Sequence, residues 1–210
     1  MRATPGLPRR IAGIEVPQDA ISRATWAWAQ RRLPTYLFAH SVRAYVWAAA
    51  LGRAEGLAYD ARILWPAAVM HDVGLTTIPR NTRCFEFQGG EVARRFLVGE
   101  GMASSDAARV GRAIELHMAA SVTLADGVES VLLDRATGID VRGSEFDRIA
   151  TVRDATTREF PRGPFDRLFL AAIRREVDTR RGCQSEGLLR RLPDGLARSP
   201  WREGGDANGR

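Results

Sequence analysis

The side chains in this sequence that could do chemistry are its three histidines and a few of its aspartates. His71 and Asp72 stand side by side where the apolar run "AAVMHDVGLT" ends. Imidazole nitrogens and carboxylate oxygens are ligands for divalent cations, and a catalytic metal site also keeps one coordination position open. Adjacent side chains inside a helix point about 100° apart, whereas at a helix end the backbone can re-aim the second one. Because Gly74 follows closely, the pair predicts a metal site at a helix terminus.

Two residues that are distant in sequence are predicted to complete this site. His40 shares a helix face with apolar residues, so it points inward and can reach across an antiparallel helix pair. Asp140, in "TGIDVRG", is flanked by apolar residues, where a carboxylate is costly unless it is paired. A single histidine on an apolar face is more often a hydrogen-bonded core residue. Since all three histidines lie on inward faces or at helix ends, we predict that His40, His71, Asp72 and Asp140 bind one divalent metal.

The elements that must position these residues are predicted to be helices. Helical spacing of apolar residues recurs along the chain, and neither strand-like alternation nor an internal repeat is found. A chain of 210 residues is long enough for one well-buried domain. The sequence therefore predicts an all-α fold with an N-terminal arm over 1–18, one domain over 19–192 and a mobile, glycine-rich tail over 193–210.

Local signals give the boundaries of the predicted helices. Asp19 opens the first helix, which ends before Pro34, and a second runs from Thr35 to Ala54. Asp60 caps a third helix that ends on the His–Asp pair. We also expect "NTRCFEF" to be an irregular connector. Helices are expected to follow in "GGEVARRFLVGEG", "SSDAARVGRAIELHM", residues 124–137, "SEFDRIATVRDATTREF" and "FDRLFLAAIRREVDTRR". Asp140 is expected just past the end of the 124–137 helix, and Ser144 is expected to cap the helix after it.

Charge and cysteine usage limit the classes of partner. The net charge is +6, but all 31 basic residues are arginines, and they are scattered along the chain with few aromatic residues among them. A solvated basic surface is therefore predicted rather than a nucleic-acid interface. No apolar run reaches the roughly 18 residues of a membrane span. Cys84 and Cys183 are isolated in sequence, so we expect inert thiols and a reduced, cytoplasmic setting. A small-molecule substrate is expected, and homo-oligomerisation stays open.

The spacing of the four candidate ligands resembles that of a known family. His40, His71-Asp72 and Asp140 resemble the H…HD…D pattern of the HD-domain superfamily of metal-dependent hydrolases. The stretches "RCFEFQGGEVARRFL" and "AIELHMAASVTLADGVESVLL…GIDVRG" are similar to its cyanamide hydratase-like branch, and the match covers roughly residues 36–145. Met118 and Ala119 depart from the branch, which has a Thr-Ser-type pair there.

The resemblance implies a single HD-type helical domain in which these four residues coordinate the metal. Most members of the superfamily hydrolyse phosphoesters, and the cyanamide hydratase branch adds water to a nitrile carbon. We expect Zn²⁺ or Fe²⁺, with one metal per chain because a two-metal site would require a further histidine. Hydration of cyanamide or a nitrile is the preferred function. The alternatives are a phosphohydrolase of nucleotides or other phosphate monoesters, and a non-catalytic binding module with a vestigial metal site.

A hydratase mechanism can be assigned to particular residues. A divalent metal lowers the pKa of its bound water toward 7 and polarises the substrate. Asp72 would bind the metal and hold the attacking water, and His117 would transfer the proton, although His117 could instead bind a second metal or be structural. Glu86 would orient a ligand imidazole or pair with an arginine. We expect a small apolar pocket for an uncharged substrate. Its predicted aromatic lining consists of Trp47, Trp65, Phe85 and Phe87.

Overall fold

A computed structural model of the chain describes residues 6–76 and 83–202, and these residues form an all-α domain with one short hairpin. The hairpin consists of β1 (Arg10–Ile11) and β2 (Ile14–Glu15), which pair antiparallel. The helices of the described residues are α1 (Ala20–Arg32), α2 (Thr35–Glu55), α3 (Ala61–Met70), α4 (Phe85–Gly99), α5 (Ser104–Leu116), α6 (Val128–Arg142), α7 (Ala150–Glu159), α8 (Phe165–Thr179) and α9 (Gln184–Ala197). Four 3₁₀ turns, Val73–Thr76, Leu124–Asp126, Phe146–Ile149 and Pro200–Arg202, lie between or after them.

The first three helices begin and end where their capping residues predict. Asp19 accepts a hydrogen bond from the backbone N–H of Ser22 at 2.9 Å, which satisfies a free donor at the start of α1. Pro34 stops α1, since it cannot continue the helical hydrogen-bond ladder. Asp60 caps α3 by accepting from the backbone N–H of Arg62 at 2.8 Å. The predicted bounds of these three helices are therefore confirmed to within two residues.

Helix α2 is the centre of the fold. It is buried along most of its length and packs against α3 and α6, with α1, α7 and α8 completing its surroundings. A helix that is apolar all round belongs in a protein interior. Helix α2 carries the fully buried Tyr45, Trp47 and Leu51, and this burial places His40, on the same helix, inside the protein as predicted.

Four predicted boundaries in the middle of the chain are wrong. Helix α4 begins at Phe85, within the stretch expected to be irregular, while residues 77–82 lie outside the described part. Helix α6 begins only after Gly127, whose φ of 100° excludes a continuous helix from residue 124, and it continues to Arg142. Asp140 therefore lies within the last turn of α6 and not after it. Ser144 caps no helix, because α7 starts at Ala150.

The predicted C-terminal boundary at residue 193 is also wrong. Helix α9 continues through Pro193 to Ala197 because Leu192 and Leu196 are buried in the core, and this packing outweighs the lost backbone hydrogen bond. Beyond the helix, Trp201 donates a hydrogen bond from Nε1 to the carbonyl oxygen of Ile139 at 2.8 Å. The last residues of the predicted tail, 203–210, lie outside the described residues.

The two cysteines are bonded to each other. A disulfide joins Cys84 to Cys183 across a sequence separation of 99 residues. The prediction of two isolated, inert thiols is therefore wrong. The expectation of a cytoplasmic setting depends on free cysteines, and a disulfide removes that reason. Among the described helices, none combines the length and the apolar character that a membrane crossing requires.

Candidate metal centre

His40, His71 and Asp72 converge in the interior as the sequence predicts. The Nε2 atoms of His40 and His71 are 3.1 Å apart. Asp72 Oδ2 lies 3.3 Å from His71 Nε2 and 3.6 Å from His40 Nε2. All three residues are at most 1% exposed, and one ligand atom from each lies within 4.8 Å of the others. This spacing suits three ligands of one cation.

The end of α3 is what allows adjacent side chains to meet. His71 is the C-terminal cap of α3, and a 3₁₀ turn over Val73–Thr76 follows Asp72. A Cβ atom at Gly74 would overlap the backbone carbonyl of Phe85, so only glycine lets α4 pack this closely on the turn. The predicted re-aiming of Asp72 at a helix terminus is confirmed.

The histidines use Nδ1 to bond the protein and leave Nε2 for the centre. Nδ1 of His71 lies 2.8 Å from the carbonyl oxygen of Ala68, and Nδ1 of His117 lies 2.6 Å from that of Ile114. Since a carbonyl oxygen only accepts, Nδ1 carries the proton in both rings and Nε2 of the neutral ring presents a lone pair. Two such lone pairs 3.1 Å apart in His40 and His71 repel each other unless a cation or proton lies between them.

Asp72 adds an unsatisfied oxygen to this arrangement. Within the described ranges, its buried Oδ2 accepts no hydrogen bond of good geometry, although it faces both Nε2 atoms. Burial alone would raise the pKa of Asp72, but positive charge on the adjacent imidazoles, that of His71 above all, outweighs burial and lowers it to about 2. A buried, ionised carboxylate beside two imidazole lone pairs is costly without a cation. The residues therefore fit a divalent metal.

Asp140 is placed behind His40, away from the three ligand atoms. Its Oδ2 accepts from His40 Nδ1 at 2.6 Å and from Arg43 Nη2 at 2.7 Å, and its Oδ1 accepts from Arg43 Nε at 2.8 Å and Trp47 Nε1 at 3.2 Å. Burial alone would raise the pKa of Asp140, but Arg43 and Arg162 hold it well below its usual value. The expectation of a fourth ligand is not met here, because both oxygens are engaged elsewhere. Asp140 instead fixes the orientation of His40.

His117 borders the cluster without joining it. It caps the C-terminus of α5, and its Nε2 lies 3.8 Å from Asp72 Oδ1. Its ring centroid is 4.9 Å from that of His71 and 5.7 Å from that of Phe85. Burial and the neighbouring His71 lower the pKa of His117 to about 4, so its ring is neutral at pH 7. A neutral ring with a free Nε2 can accept a proton.

A cavity of about 800 Å³ opens onto the cluster. The candidate ligands and His117 lie at one part of its lining, and the rest comes mainly from α6, α9 and the residues just after His117. Charged side chains are prominent among the latter, namely Asp134, Arg142, Glu186, Arg190 and Arg191. The cavity is therefore larger and more polar than the small apolar pocket that the sequence led us to expect.

None of the predicted aromatic residues lines this cavity. Trp47 contacts Asp140, and Trp65 donates to the carbonyl oxygen of Ser22 at 3.3 Å within the core. Phe85 packs beside His117, and Phe87 is 37% exposed at the surface. Large apolar side chains on buried helix faces pack into the core, so their sequence positions do not identify a pocket.

Glu86 also fails to take either of its predicted roles. Its side chain is fully buried, and neither carboxylate oxygen has a hydrogen-bond partner among the described residues. Burial and the nearby Glu176 raise its pKa, against a smaller opposing effect of Arg180. Arg180 pairs with Glu176 and donates to Gln88 at 2.6 Å, so it forms no direct ion pair with Glu86.

Sequence reasoning missed two groups of residues around the site. Arg43 lies three positions after His40, so the i, i+3 spacing on one helix face could have indicated that both residues meet the same carboxylate. The arginines of α9 border the cavity, but no local sequence signal distinguishes them from the other arginines of the chain.

In comparisons with known proteins, no family model matches the chain and no curated protein does either.

Proposed function

We propose that this protein is a metal-dependent hydratase or hydrolase of the HD type, with one divalent metal held by His40, His71 and Asp72. The observation that carries the proposal is the convergence of two imidazole Nε2 atoms and an unsatisfied, buried carboxylate oxygen beside a cavity. Ligands of this type suit Zn²⁺ or Fe²⁺. The resemblance of the H…HD…D spacing to the HD-domain superfamily supports the same assignment.

The chain's own residues supply the remaining parts of a hydration site. A divalent metal bound there would lower the pKa of a water toward 7 and provide a nucleophile at neutral pH. His117 would accept or return a proton through Nε2, since its Nδ1 is already committed to Ile114. Asp140 would hold the His40 ring in place from behind, with Arg43 and Trp47 fixing the carboxylate in turn.

The first candidate reaction is hydration of cyanamide or a small nitrile. Its support is the likeness of two stretches to the cyanamide hydratase-like branch, together with a proton-transfer group beside the cluster. Addition of water to such a substrate requires attack at its carbon and protonation of its nitrogen. Release of a leaving group is not required, so three ligands and one acid–base residue suffice.

The second candidate reaction is hydrolysis of a phosphate monoester. Arg142, Arg190 and Arg191 border the cavity, and none of them forms an ion pair within the part of the chain that is described. Guanidinium groups bind phosphate oxygens with charge-assisted hydrogen bonds. The polar lining of the cavity therefore favours a charged substrate, whereas the apolar pocket expected from the sequence would favour an uncharged one.

Metal analysis followed by a substrate screen tests the proposal. The purified protein is expected to contain about one equivalent of transition metal, and Asp72→Asn is expected to lose both metal and activity. Asp154→Asn is the matched control, because Asp154 is exposed on α7 outside the site. Cyanamide and small nitriles are assayed beside nucleoside monophosphates. Turnover of phosphates alone selects the second reaction, and a folded protein that binds no added metal rejects both in favour of a non-catalytic module.

A further inference from the structure

Helix α9 forms one wall of the cavity. Six residues of its first two turns line the cavity: Gln184, Glu186, Gly187, Leu188, Arg190 and Arg191. The candidate ligands, in contrast, lie on α2 and at the end of α3. The position of α9 therefore determines access to the cluster and the shape of the cavity, but α9 supplies none of the three candidate ligands.

The two ends of α9 are held in different ways. From Leu188 onward the helix is held by apolar packing, with Leu188, Leu192 and Leu196 buried in the core. At its N-terminus, the capping residue Cys183 is bonded to Cys84, the capping residue of α4. The cavity-lining end of α9 is thus tied covalently to a helix that packs on the turn after Asp72.

Helix α8 is attached to α4 by contacts that do not involve the disulfide. Glu176 accepts a hydrogen bond from the backbone N–H of Phe85 at 3.1 Å, and Arg180 joins Glu176 to Gln88. Between Arg180 and α9 the chain passes through Gly182, whose φ is 76°. Opening the disulfide would therefore remove the covalent link at the start of α9 and leave this end held by packing such as that of Leu188, while these contacts keep α8 in position.

Cys183, the residue before α9, is one of the residues that line the cavity. We propose that Cys84–Cys183 is a redox-controlled site and that its reduction loosens the first two turns of α9 and weakens substrate binding. The reductant is a dithiol. One of its thiolates attacks the Sγ of Cys183 and expels the Cys84 thiolate, which takes up a proton.

The second thiol of the reductant then completes the exchange. It attacks the mixed disulfide at the reductant's own sulfur, displaces the Cys183 thiolate, and leaves the reductant as an internal disulfide. The protein gains two electrons and two protons in total, and the reductant loses the same number. Oxidation by a disulfide of the same class reverses each step.

Hydrogen–deuterium exchange of the full chain tests the structural part directly. Backbone amides of residues 184–191 are expected to exchange about tenfold faster in the reduced protein, whereas those of α2 keep their protection. A phosphine reductant is used, because dithiols bind metals. Cys84→Ser and Cys183→Ser are expected to show the fast exchange without reductant and no change when it is added.

The kinetic part rests on the proposed function and is measured separately. With whichever substrate is turned over, reduction is expected to raise KM by at least about fivefold while the bound metal stays constant. Reoxidation is expected to restore KM in the wild type and not in Cys84→Ser. If no substrate is found, the exchange experiment still decides whether α9 responds to the disulfide.

Three outcomes overturn the inference. Equal exchange of residues 184–191 in the oxidised and reduced proteins would show that the disulfide does not hold the start of α9. Faster exchange of α2 together with α9 would show that the bond stabilises the whole fold and is not a local device. An unchanged KM alongside faster exchange of α9 would reject the control of substrate binding.

Discussion

Replacing Asp140 by Asn is the sharpest perturbation of the candidate centre. The change keeps the shape of the side chain but removes the charge that Arg43 contacts through Nε and Nη2, and Arg43 is fully buried. It also replaces one accepting oxygen by an NH2 donor, which would face the donors of Arg43, Trp47 and His40. Removing one partner of a buried ion pair costs about 3–5 kcal/mol, and we expect a loss of unfolding free energy in that range.

The same substitution is expected to weaken metal binding without abolishing it. Partners that orient a metal-binding histidine from behind contribute about 10- to 100-fold in affinity. The assay measures denaturant unfolding of the metal-free protein, so that bound metal does not add to stability, and then metal affinity by titration. Asp154→Asn is the control for the charge change, and His71→Ala defines the loss of a true ligand.

Two results would refute this reasoning. If Asp140→Asn unfolds within about 1 kcal/mol of the wild type, Arg43 does not depend on this carboxylate. If its metal affinity falls as far as that of His71→Ala, Asp140 is itself a ligand, and the metal-bound site differs from the arrangement around His40 described above.

Three further predictions concern other residues of the site. Burial raises the pKa of Asp134 to about 6, so its ionisation disfavours the folded state and the protein loses stability as pH rises from about 4 to 6. Urea unfolding across that pH window should show that the unfolding free energy of Asp134→Asn exceeds that of the wild type by about 1–2 kcal/mol at the upper end. Cys84→Ser removes a bond that is inferred to act locally on α9, so its unfolding free energy without reductant should stay within about 1 kcal/mol of the wild type, and reduced wild type should show the same small change. His117→Asn should lower kcat about 10²- to 10⁴-fold at unchanged metal content; a lower metal content would instead make His117 a ligand.

The helices of the N-terminal half could be predicted because local signals and packing agree there. Asp19 and Asp60 cap helices whose apolar spacing is regular, and Pro34 stops the first of them. The convergence of His71 and Asp72 followed from one helix end and one glycine. Where a boundary depends on residues within a few positions, the sequence is sufficient.

The errors have a common cause, which is that they depend on distant contacts. The partner of Cys84 lies 99 residues away, and nothing in the spacing of two cysteines identifies a bond. Pro193 is a strong stop signal, yet the burial of Leu192 and Leu196 carries the helix past it. The size and apolar character of Trp65 predict a place in the pocket lining, but the same properties place it in the core.

The pairing of His40 with Asp140 has a reason that the fold makes explicit. His71 and His117 are C-terminal caps, so each can donate Nδ1–H to the carbonyl oxygen three residues earlier, in the last turn of its own helix. His40 lies inside α2, where the neighbouring carbonyl oxygens already accept helical hydrogen bonds. It therefore needs an acceptor from outside its helix, and Asp140, 100 residues later, provides one.

This difference predicts how the histidines would act as ligands. A carboxylate behind an imidazole makes the ring more basic than a carbonyl oxygen does, so His40 would be the strongest imidazole donor of the centre. Arg43 and Arg162 moderate that effect, because they share the negative charge of Asp140. The spacing that looks like four ligands in the sequence thus describes three converging groups and one residue that holds the first of them in place.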